Sequence, residues 1–237
     1  MTGPILLTGA TGFVGSHAAE ALQEAGAELR CTVRSSSDLR WLGNLEAETV
    51  TADLRDPDAL APALDGIGTV VHAAGVTRAP GPELYRRVNV EGTERLARAA
   101  ARRGVRRFVF VSSLAARGPD GASGPTSAYG RSKRAAEERL AEAPEGEVPP
   151  EVVVLRPGGV YGPRDTDLLP LFRMAQRGWL PVPTGARSLQ PIYAVDAASA
   201  LAAAALEDAP GFGPWPLVER ESYPWRAVAG SLEEALG

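Results

Sequence analysis

Cysteine occurs once in this chain, at position 31, and histidine twice, at 17 and 72. A single cysteine excludes an internal disulfide. Three such donors are too few for a four-ligand Cys/His metal site. A Ser-His-Asp hydrolase is also disfavoured, because no histidine follows residue 72 and no G-x-S-x-G elbow is present. Long apolar runs are missing, so no stretch reads as a bilayer span. Charge of one sign is missing as well: 25 Lys and Arg against 29 Asp and Glu leave a net charge of -4. That balance offers no footprint for nucleic acid or an acidic membrane surface. The doublets Arg86-Arg87, Arg102-Arg103 and Arg106-Arg107 read as solvated cations, the last two beside a helix end whose dipole they complement. The first residues lack the basic flank and long apolar segment of a secretory signal, so the expectation is a cytoplasmic protein.

What is present is regular alternation. At 237 residues the chain is long enough for one well-packed domain with a small lobe. PILLT, ELRCTV, GTVVHA, RFVFVSS and EVVVLRP are short apolar runs. Between them, helical periodicity marks 13–25, 56–64, 85–103 and 129–143. Continuous rather than alternating apolar runs suit strands buried on both faces, and strands alternating with helices predict a doubly wound parallel α/β sheet. Cys31 falls in a strand and reads as a buried structural thiol. After Pro157 the pattern loosens: a helix over 168–177, a strand in QPIYAV, a helix over 196–207, a strand in WPLVE and a helix over 224–236. The division expected is a nucleotide-binding domain over 1–160 and a small substrate lobe over 161–237, interleaved with the last strand as one compact unit.

The first junction reads ILLTGATGFVGSH, with Gly9, Gly12 and Gly15 spaced G-x-x-G-x-x-G. Gly9 allows a tight turn out of the strand, Gly12 lets a pyrophosphate approach the backbone, and Gly15 permits close packing of the helix on the sheet. Thr11, Phe13 and Val14 then belong to a helix start whose N–H groups face the phosphates. At the end of the second strand a domain that binds NAD normally carries an acid for the ribose 2′-hydroxyl. This chain has Arg34 followed by three serines. A guanidinium there suits a 2′-phosphate and favours NADP, with NAD as second choice. Arg40 lies near the same loop. Asp53 and Leu54, after the third strand, are candidates to border the adenine, with helix capping as the equal alternative for Asp53.

HAAG closes the fourth strand, placing Ala73, Ala74 and Gly75 at the cofactor edge; His72 beside them reads as structural. SS closes the fifth. YGRSK then sets Tyr129 and Lys133 four residues apart, on one face of a helix. An ammonium beside a phenol favours the phenolate, and a serine hydroxyl can hold a substrate oxygen next to it. Together these make a proton relay for hydride transfer between a nicotinamide and a carbonyl or alcohol.

TGATGFVGSH, ADLRD, VVHAAG, VNVEGT, FVFVSS, YGRSK, LRPGGVYGPRD and PIYAVDAASA, in this order, resemble the extended branch of the short-chain dehydrogenase/reductase superfamily, its NAD(P)-dependent epimerases, dehydratases and reductases. The resemblance covers nearly the whole chain and implies a Rossmann-type fold. It makes Tyr129 the acid/base, Lys133 its modulator and a ribose ligand, and Ser113 rather than Ser112 the substrate-oxygen donor. It makes Asn89 a support of the lysine, and Pro157, Gly158 and Val160 the segment passing the nicotinamide amide. Dehydratases of the family carry an acidic pair after the catalytic hydroxyl; here Leu114-Ala115-Ala116 follows Ser113. A 3,5-epimerase needs a further Cys or His that this half of the chain lacks. A carbonyl reductase similar to dihydroflavonol reductases and a nucleotide-sugar 4-epimerase need the same Ser-Tyr-Lys set. Arg34 and TVRSSS favour the reductase. A third reading is an NADP-binding sensor or assembly factor without turnover. Relatives usually run longer, so the substrate lobe is expected to be small or truncated. Arg164, Asp165, Arg173, Arg187, Gln190, Val76, Thr77 and Tyr161 are pocket candidates, and pairing of the two long helices would give a homodimer.

Overall fold

The computed structural model describes residues 3–119, 123–142, 148–178, 188–207 and 211–236. The elements run β1 (Ile5–Thr8), α1 (Phe13–Glu24), β2 (Leu29–Val33), β3 (Ala47–Thr51), α2 (Pro57–Ala63), β4 (Thr69–His72), α3 (Pro82–Tyr85), α4 (Glu91–Arg102), β5 (Arg107–Val111), α5 (Ala128–Ala141) and β6 (Glu151–Pro157). They continue as β7 (Gly159–Tyr161), α6 (Leu169–Ala175), β8 (Ser188–Leu189), β9 (Pro191–Tyr193), α7 (Ala194–Leu206), β10 (Trp215–Leu217), β11 (Tyr223–Pro224) and α8 (Trp225–Leu236).

Seven strands form one parallel sheet in the order β10-β6-β5-β4-β1-β2-β3. Alternate residues of the apolar runs feed two cores. Ile5, Leu7, Val109 and Val153 pack with Leu22 of α1 and Leu201 of α7. Leu6, Val70, Phe108, Phe110 and Val154 pack with Leu60 of α2, Leu96 of α4 and Leu140 of α5. Both faces are covered, which is why the strands read as unbroken apolar runs. The chain reverses its direction of travel across the sheet between β1 and β4, and the residues that follow those strands meet at this switch point.

Two expectations are refined. The helix over 85–103 is three pieces, because a wide π-helical turn, Arg86–Val90, separates α3 from α4. The extra residue of such a turn rotates Asn89 inward, a feature invisible in hydrophobic periodicity. QPIYAV and WPLVE go to different places: β9 pairs with β7 in a two-stranded ribbon, whereas β10 extends the main sheet beside β6. α7 covers the sheet beside α1, its alanines permitting close contact. The alanines Ala99, Ala100 and Ala136 of the two long helices lie in the core. Cys31 is buried, and burial pushes its thiol up to about 12. Among the described residues no helix is long and apolar enough to cross a membrane, and no cluster of His, Cys, Asp or Glu could hold a metal ion.

Candidate active site

The glycine turn is tight for stated reasons. Gly9 has φ +77°, and a Cβ on it would lie 2.6 Å from the Ala74 nitrogen. A Cβ on Gly15 would lie 2.0 Å from the Gly9 carbonyl oxygen, so Gly15 makes room for the turn itself rather than for the sheet. A Cβ on Gly12 would meet only the Gly9 oxygen, at 3.2 Å, which leaves its outer side open. Gly12 caps α1 with no side-chain hydrogen bond, so the first-turn N–H groups beyond Thr11, including those of Phe13 and Val14, have no side-chain cap. This cradle fits a pyrophosphate. Gly15→Ala is expected to cost about 1–3 kcal/mol by overpacking and to abolish dinucleotide binding, read by urea unfolding and calorimetry.

On the adenosine side, Arg34 sits in a turn closed by Ser37, whose Oγ accepts from the Arg34 amide at 2.9 Å; the Arg34 side chain is exposed. Asp53 is engaged by Arg55, with Nη2 donating at 2.6 Å and Nε at 3.0 Å. That guanidinium holds the Asp53 carboxyl down at about 2, and Arg34 adds to the effect. Leu54 rests against Gly92 of α4. Arg40 is paired with Asp38 and lies 5.9 Å from the Trp41 ring centre.

Ser127 caps α5, accepting from the Gly130 amide at 2.9 Å, and so sets the helix that carries Tyr129 and Lys133. Ser113, at the end of β5, lies beside Tyr129 and acts to lower its phenol. Ser113 in turn starts a short 3-10 turn, its Oγ accepting from the Ala115 amide at 3.2 Å. Burial raises the Tyr129 phenol; Ser113 opposes this and Tyr85 adds to it. Lys133 is buried, donates from Nζ to the Val111 carbonyl at 2.8 Å, and stands 4.8 Å from the Phe110 ring centre. Burial lowers it to about 8, against an opposing pull from Glu137. The expected direction for Tyr129 is therefore reversed: the ammonium is aimed at a backbone carbonyl, and desolvation keeps the phenol protonated.

Asn89 is buried in the wide turn. Its Oδ1 accepts from the Val76 amide at 2.8 Å, and its Nδ2 donates to the Val76 carbonyl and to Ser132 Oγ, both at 3.0 Å. Thus it fixes the backbone after HAAG. A Cβ on Gly75 would come 3.1 Å from Asn89 Oδ1 and 3.4 Å from Lys133 Nζ, so Ala73, Ala74 and Gly75 run directly beside both. His72 is fully buried and links the two halves. Thr93 Oγ1 donates to the Asn89 carbonyl at 2.7 Å, so it accepts from His72 Nε2 at 2.9 Å, and Nδ1 accepts from Thr8 Oγ1 at 2.6 Å. Burial pushes His72 down to about 3, and it is a neutral structural group.

Pro157 ends β6, and Gly158 follows where a Cβ would lie 2.0 Å from the Gln190 carbonyl oxygen; Val160 pairs with Ile192. A cavity of about 670 Å³ opens here, lined by Ser113, Leu114, Ala115, Arg117, Gly118, Pro119, Thr126, Ser127, Gly158, Gly159, Ser188, Leu189 and Gln190. Of the pocket candidates, Gln190 lines it. Arg164 does not: at φ +72° it turns back onto α1, donating to Ser16 Oγ at 3.1 Å and Glu20 Oε1 at 2.5 Å, and stacks on Trp41 at 4.6 Å. Asp165 closes a local turn by accepting from the Asp167 amide at 2.7 Å. Tyr161 donates to Glu219 at 2.8 Å, and Thr77 accepts from Tyr85 at 3.0 Å. Arg173 is exposed on α6, and Arg187 lies outside the described residues.

Sequence reasoning missed Arg117 in the cavity and the buried pair Glu137 and Arg156, and weighed Ser112 only as a substrate-oxygen donor. The signals were present: a charged residue inside the apolar strand EVVVLRP, and an acid four residues after Lys133. It also passed over a count: the chain has 24 arginines and one lysine, and that lysine is Lys133. Arginine's planar fork cannot replace a compact ammonium at such a point.

Residues 5–213 match the model of the NAD dependent epimerase/dehydratase family. The chain is 36% identical over 236 residues to a ceramide reductase of Caulobacter vibrioides, covering 99% of this chain and 71% of that one. It covers only 52% to 59% of several other curated relatives. Among solved structures, it resembles that of gox2253 with a TM-score of 0.85 and 34% identity, over 99% of this chain and 75% of the other. It also resembles MoeE5 in complex with UDP-glucose and NAD, with a TM-score of 0.81 and 30% identity over 98% and 82%.

Proposed function

The chain belongs to the NAD-dependent epimerase/dehydratase family and is an NAD(P)-dependent enzyme of the short-chain dehydrogenase/reductase type; from that premise we propose that it reduces a carbonyl, or oxidises the corresponding alcohol, with NADP. The observation that carries this reading is the place of Ser113 on the wall of the cavity beside Gly158, next to a Tyr129 phenol that Ser113 acts on and burial keeps protonated. In this reading Ser113 holds the substrate oxygen, and Tyr129 donates its proton to that oxygen as charge develops there. Lys133 supplies the nearby positive charge and binds the ribose of the dinucleotide, and Asn89 holds the backbone between them. Gly9, Thr11, Gly12, Phe13, Val14 and Gly15 hold the pyrophosphate. Asp53, Leu54, Ala73, Ala74 and Gly75 line its path, and Pro157, Gly158 and Val160 stand at the nicotinamide end. A nicotinamide dinucleotide bound here supplies the hydride.

The likeness to a ceramide reductase supports reduction. The exposed Arg34 guanidinium, with Asp53 already neutralised by Arg55, supports a 2′-phosphate ligand. Calorimetry is expected to show NADPH binding more tightly than NADH, and Arg34→Ala to weaken NADPH about 10- to 100-fold with little change for NADH. Equal binding of the two by the unaltered protein would remove the NADP assignment. A nucleotide-sugar 4-epimerase is the second reading, favoured by the likeness to MoeE5 with its UDP-glucose and NAD. A panel of aldehydes, ketones and UDP- or dTDP-sugars separates the two. Net oxidation of NADPH marks a reductase. Interconversion of sugars with no net change in the dinucleotide marks an epimerase.

A further inference from the structure

Beneath the Ser113–Tyr129 pair lie three buried charged side chains: Lys133, 4% exposed, Glu137, 5%, and Arg156, 8%. Lys133 and Glu137 are one turn apart on α5 and share a face. The Glu137 carboxylate accepts from Arg156 Nε at 2.9 Å and from its Nη2, and takes the Ser112 hydroxyl on Oε1. Ser112 is held a second time, its amide donating to the Leu155 carbonyl at 2.7 Å. Its two neighbours in the chain are Val111, whose carbonyl receives Lys133 Nζ, and Ser113, which acts on the Tyr129 phenol. One carboxylate therefore anchors the strand end that presents both groups.

A buried ion pair is a weak stabilising device compared with apolar side chains of the same volume. Its place here suits another task. Glu137 is the single buried carboxylate among the described residues. The other groups around Lys133 are the Phe110 ring, the neutral His72 ring behind it, the Asn89 amide and the Tyr129 phenol on the same helix, none of them anionic. Glu137 acts on Lys133 to favour its charged form.

We propose that Glu137, held by Arg156 and Ser112, is a positioning residue for the Ser113-Tyr129-Lys133 relay: it fixes the end of β5 and supplies the buried negative charge that keeps Lys133 an ammonium. The part concerning the relay rests on the reductase reading; the charge balance does not.

Lys133 is the only lysine, so labelling with [ε-13C]lysine gives one lysine resonance whose titration is read directly in the full chain. In Glu137→Gln the midpoint is expected to fall by about one unit, and the alkaline limb of kcat/KM for carbonyl reduction to move with it. The double variant Glu137→Gln/Arg156→Met leaves no lone guanidinium and is expected to show a smaller shift in the same direction if the single variant does not fold, because the opposing Arg156 charge is removed with it. An unmoved midpoint in the double variant overturns the charge-balancing role. A moved midpoint with an unmoved alkaline limb overturns the role in the relay. If the midpoint moves while Tyr129→Phe keeps full activity, the charge balance stands and the reductase mechanism falls.

Discussion

Replacing Tyr129 with phenylalanine is expected to lower kcat for carbonyl reduction by about 10²- to 10⁴-fold, the usual worth of a positioned general acid, while NADPH affinity is kept. The change removes one oxygen from a partly buried ring beside Ser113. The phenyl ring retains the packing of the phenol, so the loss falls on proton transfer and not on the fold. Direction matters as much as size. Burial keeps the phenol protonated, and Lys133 is charged below about 8. Both forms favour giving a proton to a carbonyl oxygen. The kcat/KM for reduction should therefore be level at neutral pH and fall as pH rises through about 8, where Lys133 loses its proton. Oxidation of the alcohol needs the phenolate, which burial disfavours, and should rise only at pH well above that interval. Steady-state kinetics in both directions across this range check the assignment. Full activity in Tyr129→Phe would remove the relay, and tight NADPH binding with no turnover of any carbonyl or sugar would favour the sensor reading.

Arg156→Met alone is expected to destabilise the fold by about 3–5 kcal/mol, the cost of leaving a buried charge without its partner. In this variant the Glu137 carboxylate keeps only the Ser112 hydroxyl in a site that is 5% exposed. Adding Glu137→Gln removes the orphaned charge and should recover most of that loss, because replacing both members of a buried pair is often neutral. Urea denaturation of the single and double variants at one pH measures the difference. A single variant as stable as the unaltered protein would mean that Glu137 takes up a proton or water at little cost, and that the pair is not the closed network its geometry describes.

The legible parts of this protein are those in which one local signal has one physical cause. The strands β1, β4, β5 and β6 were readable because each is buried on both faces and carries a nearly unbroken apolar run. The glycine turn was readable because Gly9 needs a positive φ and a Cβ on Gly15 would strike the turn's own carbonyl. Tyr129 and Lys133 were readable as partners because four residues is one helical turn. The wide turn at Asn89 was not, since its extra residue leaves the apolar spacing nearly unchanged. Nor was the fate of Arg164, where RPGGVYGPRD suggested a pocket cation. A residue at φ +72° turned back to Glu20 and Trp41 depends on what lies across the fold, not along the chain.

By itself, then, the sequence determined the parallel sheet, the glycine turn at its switch point and the pairing of Tyr129 with Lys133 on one helical face, because each follows from spacing within one element or one junction; the choice of Ser113 came from the resemblance alone. Only the tertiary structure decided the electrical state of these residues. Lys133 points at the Val111 carbonyl, Tyr129 is kept a neutral phenol by burial, and Glu137 stands against Arg156 from a different strand. Desolvation and charge pairing are sums over neighbours from β4, β5, β6 and α5, and the chain order of those elements carries no record of the sum.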